Sequence, residues 1–175
     1  MPYRQPPVPD LLLVSDRRND AALERMLARL PPGSGLVFRH YHLAPKQRLE
    51  RFRVLRRVGI VAIWSGTARE ARRARAQGVY GDPLKLACGP RMMRFATAHS
   101  LREIGRANRH RADAILLSPV FATRSHPGAR TLGPVRFRLL AAQARVPVIA
   151  LGGMNARCAR RLAWRNWAAI QAFSE

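Results

Sequence analysis

Short apolar runs alternate with longer amphipathic stretches along nearly the whole chain. The apolar runs are "LLLVSD" (11–16), "LVFRHY" (36–41), "IVAIWS" (60–65), "VYGD" (79–82), "MRFATAHS" (93–100), "DAILLSPV" (113–120), "PVIALGGM" (147–154) and "WAAIQAF" (167–173). Each is too short for a helix that packs on its own, and most end in polar residues. They read as strands buried on both faces, which is what parallel sheets require. The stretches between them carry helix signals. "NDAALERMLARL" (19–30) opens on cap residues, 45–59 closes on Gly59, and 67–78 runs from Thr67 to Gly78. Ser100 with Glu103 three residues on forms a capping-box pattern ahead of 101–111, and Pro134 stands near the first turn of 133–145. A further helix is predicted over 155–166, and only one helical turn is expected near 83–92.

Eight strands interleaved with seven helices predict an α/β fold, a compact (β/α)8 TIM barrel lacking the last helix. An open doubly wound sheet is the alternative that alternation alone allows. At 175 residues the chain suits one domain: a Pro-rich arm over 1–10, then a single barrel over 11–175. The missing eighth helix leaves a flank for a second copy of the chain, as a homo-oligomer, or for the arm to cover.

Composition adds one anomaly. The formal net charge is +22, carried by 30 Arg and only two Lys, Lys46 and Lys85. Such a field favours anions, phosphate esters among them. The arginines are dispersed over helical stretches such as "RLERFRVLRRVG", where Leu49, Phe52, Leu55 and Val58 supply the inward face. No nucleic-acid motif is present and aromatic residues are not interleaved with the basic ones, so solvated helix faces explain the charge better than nucleic-acid binding does. No apolar run reaches membrane-spanning length and no secretion signal is evident, which predicts a cytoplasmic, soluble protein. Cys88 and Cys158 lie in no metal-ligand spacing and read as reduced thiols.

In a barrel the chemistry gathers at the C-terminal ends of the strands. Those ends bring Ser15, Asp16, Arg39, His40, Tyr80, Asp82, Thr97, His99 and Ser118 toward one mouth, together with "ALGGMN" (150–155). Two glycines there let backbone N–H groups approach a ligand, and the helix that follows at once would favour a phosphate. The long loop "SPVFATRSHPGARTLGP" (118–134) exceeds what a connector needs. His40 and His42 read as orienting or surface residues, and Trp64 and Trp167 as rim or core.

"ATAHSLREI", "DAILLSPVFATRSHPGARTLGP" and "VPVIALGGMN", in this order and spacing, resemble the thiamine phosphate synthase family and its relative, the thiazole tautomerase; "LLLVSDR" matches the family's first strand. The resemblance implies a transferase of thiamine biosynthesis. Such an enzyme joins hydroxymethylpyrimidine diphosphate to thiazole phosphate and releases diphosphate with the help of Mg2+. It implies that Gly152 and Gly153 hold the thiazole phosphate, that Thr123, Ser125 and His126 line the same pocket, and that Thr97 and Arg39 stand near the diphosphate.

Departures from the pattern matter as much. Of the family's Gln-x-Arg-x-Lys at strand two only Arg39 remains. Its Asn-Asp at the end of strand three reads Trp64-Ser65, and His126 replaces its lysine in the strand-six loop. Asp82 is left as the candidate Mg2+ ligand, if its loop is shortened by two residues. The tautomerase reaction, the alternative, moves one proton and needs no metal. His99 stands where the tautomerase carries its histidine, and imidazole is well suited to acid–base work. A second alternative is a relative without catalytic activity that retains the phosphate pocket.

Overall fold

The computed structural model describes residues 7–57, 59–123, 128 and 130–171. Among these, eight strands pair in chain order and close into a barrel, every neighbouring pair parallel. They are β1 Leu11–Val14, β2 Gly35–Phe38, β3 Val61–Ser65, β4 Gly78–Gly81, β5 Met93–Ala98, β6 Ala114–Leu117, β7 Val148–Ala150 and β8 Trp167–Ala169. The helices are α1 Leu23–Ala28, α2 Pro45–Leu55, α3 Ala68–Ala74, α4 Pro83–Ala87, α5 Leu101–Arg109, α6 Gly133–Ala141 and α7 Ala156–Leu162, with a 3-10 turn, Arg17–Ala22, leading into α1. The closed sheet settles the choice between barrel and open sheet. No helix among the described residues is long and apolar enough to cross a membrane.

Period-two alternation builds two cores from each strand. Leu12, Val14, Val37, Ile63, Phe95, Leu116 and Ile149 fill the barrel interior. Their neighbours Leu13, Phe38, Trp64, Ile115 and Ala150 face outward and pack under the helices with Phe52, Leu55, Ile104 and Phe137.

All strands but β4 are shorter than their apolar runs. β2 stops at Phe38, so Arg39, His40 and Tyr41 leave the ladder, and β6 stops at Leu117 before Ser118 and Pro119. β8 ends at Ala169 rather than at 173. The region expected to hold one helical turn forms α4, whose N-cap is Asp82. At the start of β1, Asp10 ties this strand to β8: its carbonyl accepts the Trp167 N–H at 2.9 Å and its carboxylate accepts from Arg165 and Asn166.

Candidate active site at the C-terminal mouth

The inward parity of the strands continues past their last ladder bonds, and this continuation makes the site. After Phe95 on β5 come Thr97 and then His99 on the same side; after Val37 comes Arg39; after Leu116 comes Ser118. Arg39, Tyr80, Thr97, His99, Ser118 and Thr123, with Gly152, line one cavity of about 400 Å³. That is within the range of roughly 300 to 1,000 Å³ usual for small-molecule sites. A second hollow of about 250 Å³ shares Thr123 and Gly152 with it and adds Gly153 and Asn155. The structure thus brings together Arg39, Thr97, His99, Thr123, Gly152 and Gly153. Ser125 and His126 lie outside the described residues.

The glycine turn after β7 is formed by close approach. Gly152 and Gly153 have φ of +92° and +63°. A Cβ on Gly152 would stand 2.8 Å from Pro119 Cα, and one on Gly153 only 2.4 Å from the Ala122 carbonyl oxygen. The loop after β6 is stitched to this turn by the Val120 N–H to Leu151 O and Phe121 N–H to Gly152 O bonds, at 2.9 and 3.0 Å. Among the described residues, the Gly152 and Gly153 N–H groups donate to no protein acceptor. No described residue competes with an anion for them at the cavity edge.

His99 is oriented from behind. Its Nδ1 lies 2.8 Å from the Ser118 carbonyl oxygen and 3.2 Å from the Ser118 hydroxyl. A carbonyl only accepts, so Nδ1 carries the proton and, in the neutral ring, Nε2 carries the lone pair. The His99 backbone N–H donates to the Glu103 carboxylate, and the Glu103 backbone N–H donates to the Ser100 hydroxyl that caps α5. The Thr97 hydroxyl donates to the Gly81 carbonyl at 3.3 Å. Tyr80 is nearly buried, and burial pushes its phenol up, so it remains a neutral O–H group in the cavity wall.

Among the described residues that line the cavity, Arg39 carries the fixed positive charge. Its Nε donates to the Ser15 carbonyl and its Nη2 to Asp16, each at 3.3 Å. Asp16 in turn is held by Arg18, whose guanidinium bond is the main cause that lowers the Asp16 carboxyl to about 2. A carboxyl lowered from 3.8 adds stability that is complete above its ordinary range and lost as pH falls through about 2. Asp16→Asn is therefore expected to cost about 1–2 kcal/mol at pH 7. That difference should close as acid unfolding is followed down to pH 2.

The described residues do not fit Mg2+. The metal favours near-octahedral oxygen coordination with at least one available carboxylate. Asp82 is spent on structure: its Oδ1 accepts the Leu84 and Lys85 N–H groups as the cap of α4, and it does not line the cavity. Asp16 is paired with Arg18 and Arg39, and Glu70 closes the capping box of α3 with Thr67. No group of three His, Cys, Asp or Glu among the described residues could hold a metal ion.

At the strand-three corner stands Arg48 instead. Its guanidinium lies 4.2 Å from the Trp64 ring centroid and 5.1 Å from that of Tyr41, and it donates to the Ser65 carbonyl. Sequence reasoning missed this cation, because a helix arginine that folds back over a strand-end tryptophan has no spacing signature. It also missed the Ser118 carbonyl behind His99, since backbone acceptors are invisible in a residue pattern.

Comparison with known proteins agrees with this architecture. The thiamine monophosphate synthase family matches residues 82–174. A thiamine-phosphate synthase of Chloroflexus aurantiacus is 29% identical over 160 residues, which span 85% of this chain and 73% of that one. A candidate thiamine-phosphate synthase 2 of Aquifex aeolicus is 41% identical over 59 residues, and the chain spans about a third of its length (32%). Among solved structures, the thiamine phosphate pyrophosphorylase of Pyrococcus furiosus superposes with a TM-score of 0.78 at 22% identity, over 93% of this chain and 85% of that one. At that identity the superposition shows the shared barrel. The family match covers more than half of the sequence, including every strand from β5 onward, and the chain belongs to the thiamine monophosphate synthase family.

Proposed function

We propose that this protein binds a thiazole phosphate at the mouth of its barrel and catalyses proton transfer on the thiazole ring, as a tautomerase. The observation that carries the reading is His99: Nδ1 is tied to the Ser118 carbonyl, so the lone pair of Nε2 is left to act as a base in the cavity. The phosphate would lie against the Gly152 and Gly153 N–H groups, with Thr123 beside it. Arg39 would balance a second negative charge, such as a ring carboxylate, and the Tyr80 hydroxyl would donate to a polar ring substituent. His99 would take a proton from an sp3 ring carbon, and a proton would return elsewhere on the conjugated system. Substrate and product are isomers, so no leaving group or co-reactant is needed.

The condensation that joins thiazole phosphate to pyrimidine diphosphate is the reading to which the names of the relatives point. It asks for a diphosphate and a metal to be held together, and the engaged carboxylates of Asp16 and Asp82 do not offer that. Calorimetry separates the two. Thiazole phosphate is expected to bind equally well in EDTA and in Mg2+. A Mg2+-dependent second heat with pyrimidine diphosphate, accompanied by diphosphate release, would favour the condensation.

A further inference from the structure

One buried titratable side chain next to the cavity takes no part in the proposed chemistry. His40 follows Arg39, and by strand parity it points away from the barrel axis as Arg39 points toward it. Its imidazole is 1% exposed and stacks on Phe38 with a centroid distance of 4.5 Å. Its Nε2 lies 2.9 Å from Asp20 Oδ1, and its Nδ1 lies 2.8 Å from the fully buried Ser15 hydroxyl. The Ser15 hydroxyl also accepts the Arg39 backbone N–H at 2.8 Å.

Proton counting fixes the direction of this chain. The Asp20 carboxylate accepts, so His40 Nε2 donates and, in the neutral ring, Nδ1 accepts. Ser15 therefore gives its single proton to Nδ1 and turns a lone pair toward the Arg39 N–H. We propose that His40 is a positioning residue: through Ser15 it holds Arg39 in the wall of the cavity, and it does so in its neutral form. The inference rests on Arg39 serving the ligand as proposed above.

Protonation of Nδ1 would leave the Ser15 hydroxyl with two donors aimed at it and its own proton without an acceptor, in a place closed to water. The groups that face His40 are Asp20 on the 3-10 turn, Arg51 on α2 and His42 on its own loop; Arg51 is itself paired with Asp20 and with Glu24 on α1. Burial holds the His40 imidazole below its ordinary range and outweighs the opposing pull of Asp20. The three side chains repeat the residue types of a hydrolase triad, but Ser15 is fully buried and cannot be presented to a substrate.

The test combines nitrogen-resolved NMR of the ligand-free protein with calorimetry on thiazole phosphate. Wild-type His40 is expected as the Nε2–H tautomer at neutral pH. His40→Leu removes the acceptor for Ser15 and should displace the Arg39 amide resonance. It should also weaken thiazole phosphate about tenfold. His40→Asn places an oxygen near the former Nδ1 and should restore both, and Ser15→Ala should reproduce the leucine variant if that one folds poorly. Below the ordinary imidazole range the wild-type Arg39 amide should shift with pH while the asparagine variant stays flat. An unmoved Arg39 amide in both His40→Leu and Ser15→Ala, or a ring carrying its proton on Nδ1 at neutral pH, would overturn the proposal. If the amide moves as expected and thiazole phosphate binds none of the proteins, the positioning role stands and the function proposed for the cavity fails.

Discussion

Gly153→Ala is expected to remove the proposed phosphate site and to lower stability by about 2 kcal/mol or more. Two costs add. The residue sits at φ +63°, where an L side chain is strained by about 1–2 kcal/mol. Its new methyl would also stand 2.4 Å from the Ala122 carbonyl oxygen and 2.8 Å from Phe121 Cβ. The carbonyl is backbone, and the neighbouring strand-end bonds Val120 N–H to Leu151 O and Phe121 N–H to Gly152 O hold it there. Relief requires the β6 and β7 loops to part, and that movement takes the Gly152 and Gly153 N–H groups out of register with a phosphate. Thermal unfolding reads the stability loss, and calorimetry should find thiazole phosphate bound at least about a hundredfold more weakly. Gly33→Ala provides the control: φ is +84° but nothing lies within 4 Å of the added carbon. It should carry the backbone strain alone and leave binding unchanged.

His99→Asn is expected to slow proton transfer by about 10² to 10⁴ while thiazole phosphate binds within a fewfold of wild type. The asparagine amide can still donate to the Ser118 carbonyl, so the β5–β6 contact that orients this position survives. What disappears is the ring nitrogen with its lone pair in the cavity. A loss of binding equal to the loss of rate would show instead that His99 grips the ligand and does no proton chemistry.

Much of this architecture was legible from periodicity. Short apolar runs between capped helices are what a closed parallel barrel demands, and the same parity that buries Val37 and Phe95 carries Arg39, Thr97 and His99 to the mouth. The glycine pair after β7 was legible too, because two adjacent glycines at a strand end mark close approach of another backbone. What stayed hidden were the partners. Asp82 reads as a carboxylate at a strand end, yet the Pro83 that follows starts a helix, and the side chain is drawn into capping it. His40 reads as one of two alternating histidines, and its tie to Ser15 and Asp20 comes from strands and turns far apart in sequence. Arg48 lies 16 residues before Trp64 and meets it only because α2 folds back over β3. Apolar patterns announce elements; hydrogen-bond partners depend on which elements become neighbours.

The central claim is that this cavity moves a proton on a phosphorylated thiazole without a metal. The most direct measurement supplies the non-aromatic thiazole carboxylate phosphate to the protein in deuterated water with EDTA, and follows the aromatic isomer by NMR. The account predicts conversion well above the uncatalysed rate, deuterium at the carbon that receives the proton, and return to the uncatalysed rate with His99→Asn. Conversion no faster than in buffer alone, for a protein that binds the compound, would contradict it.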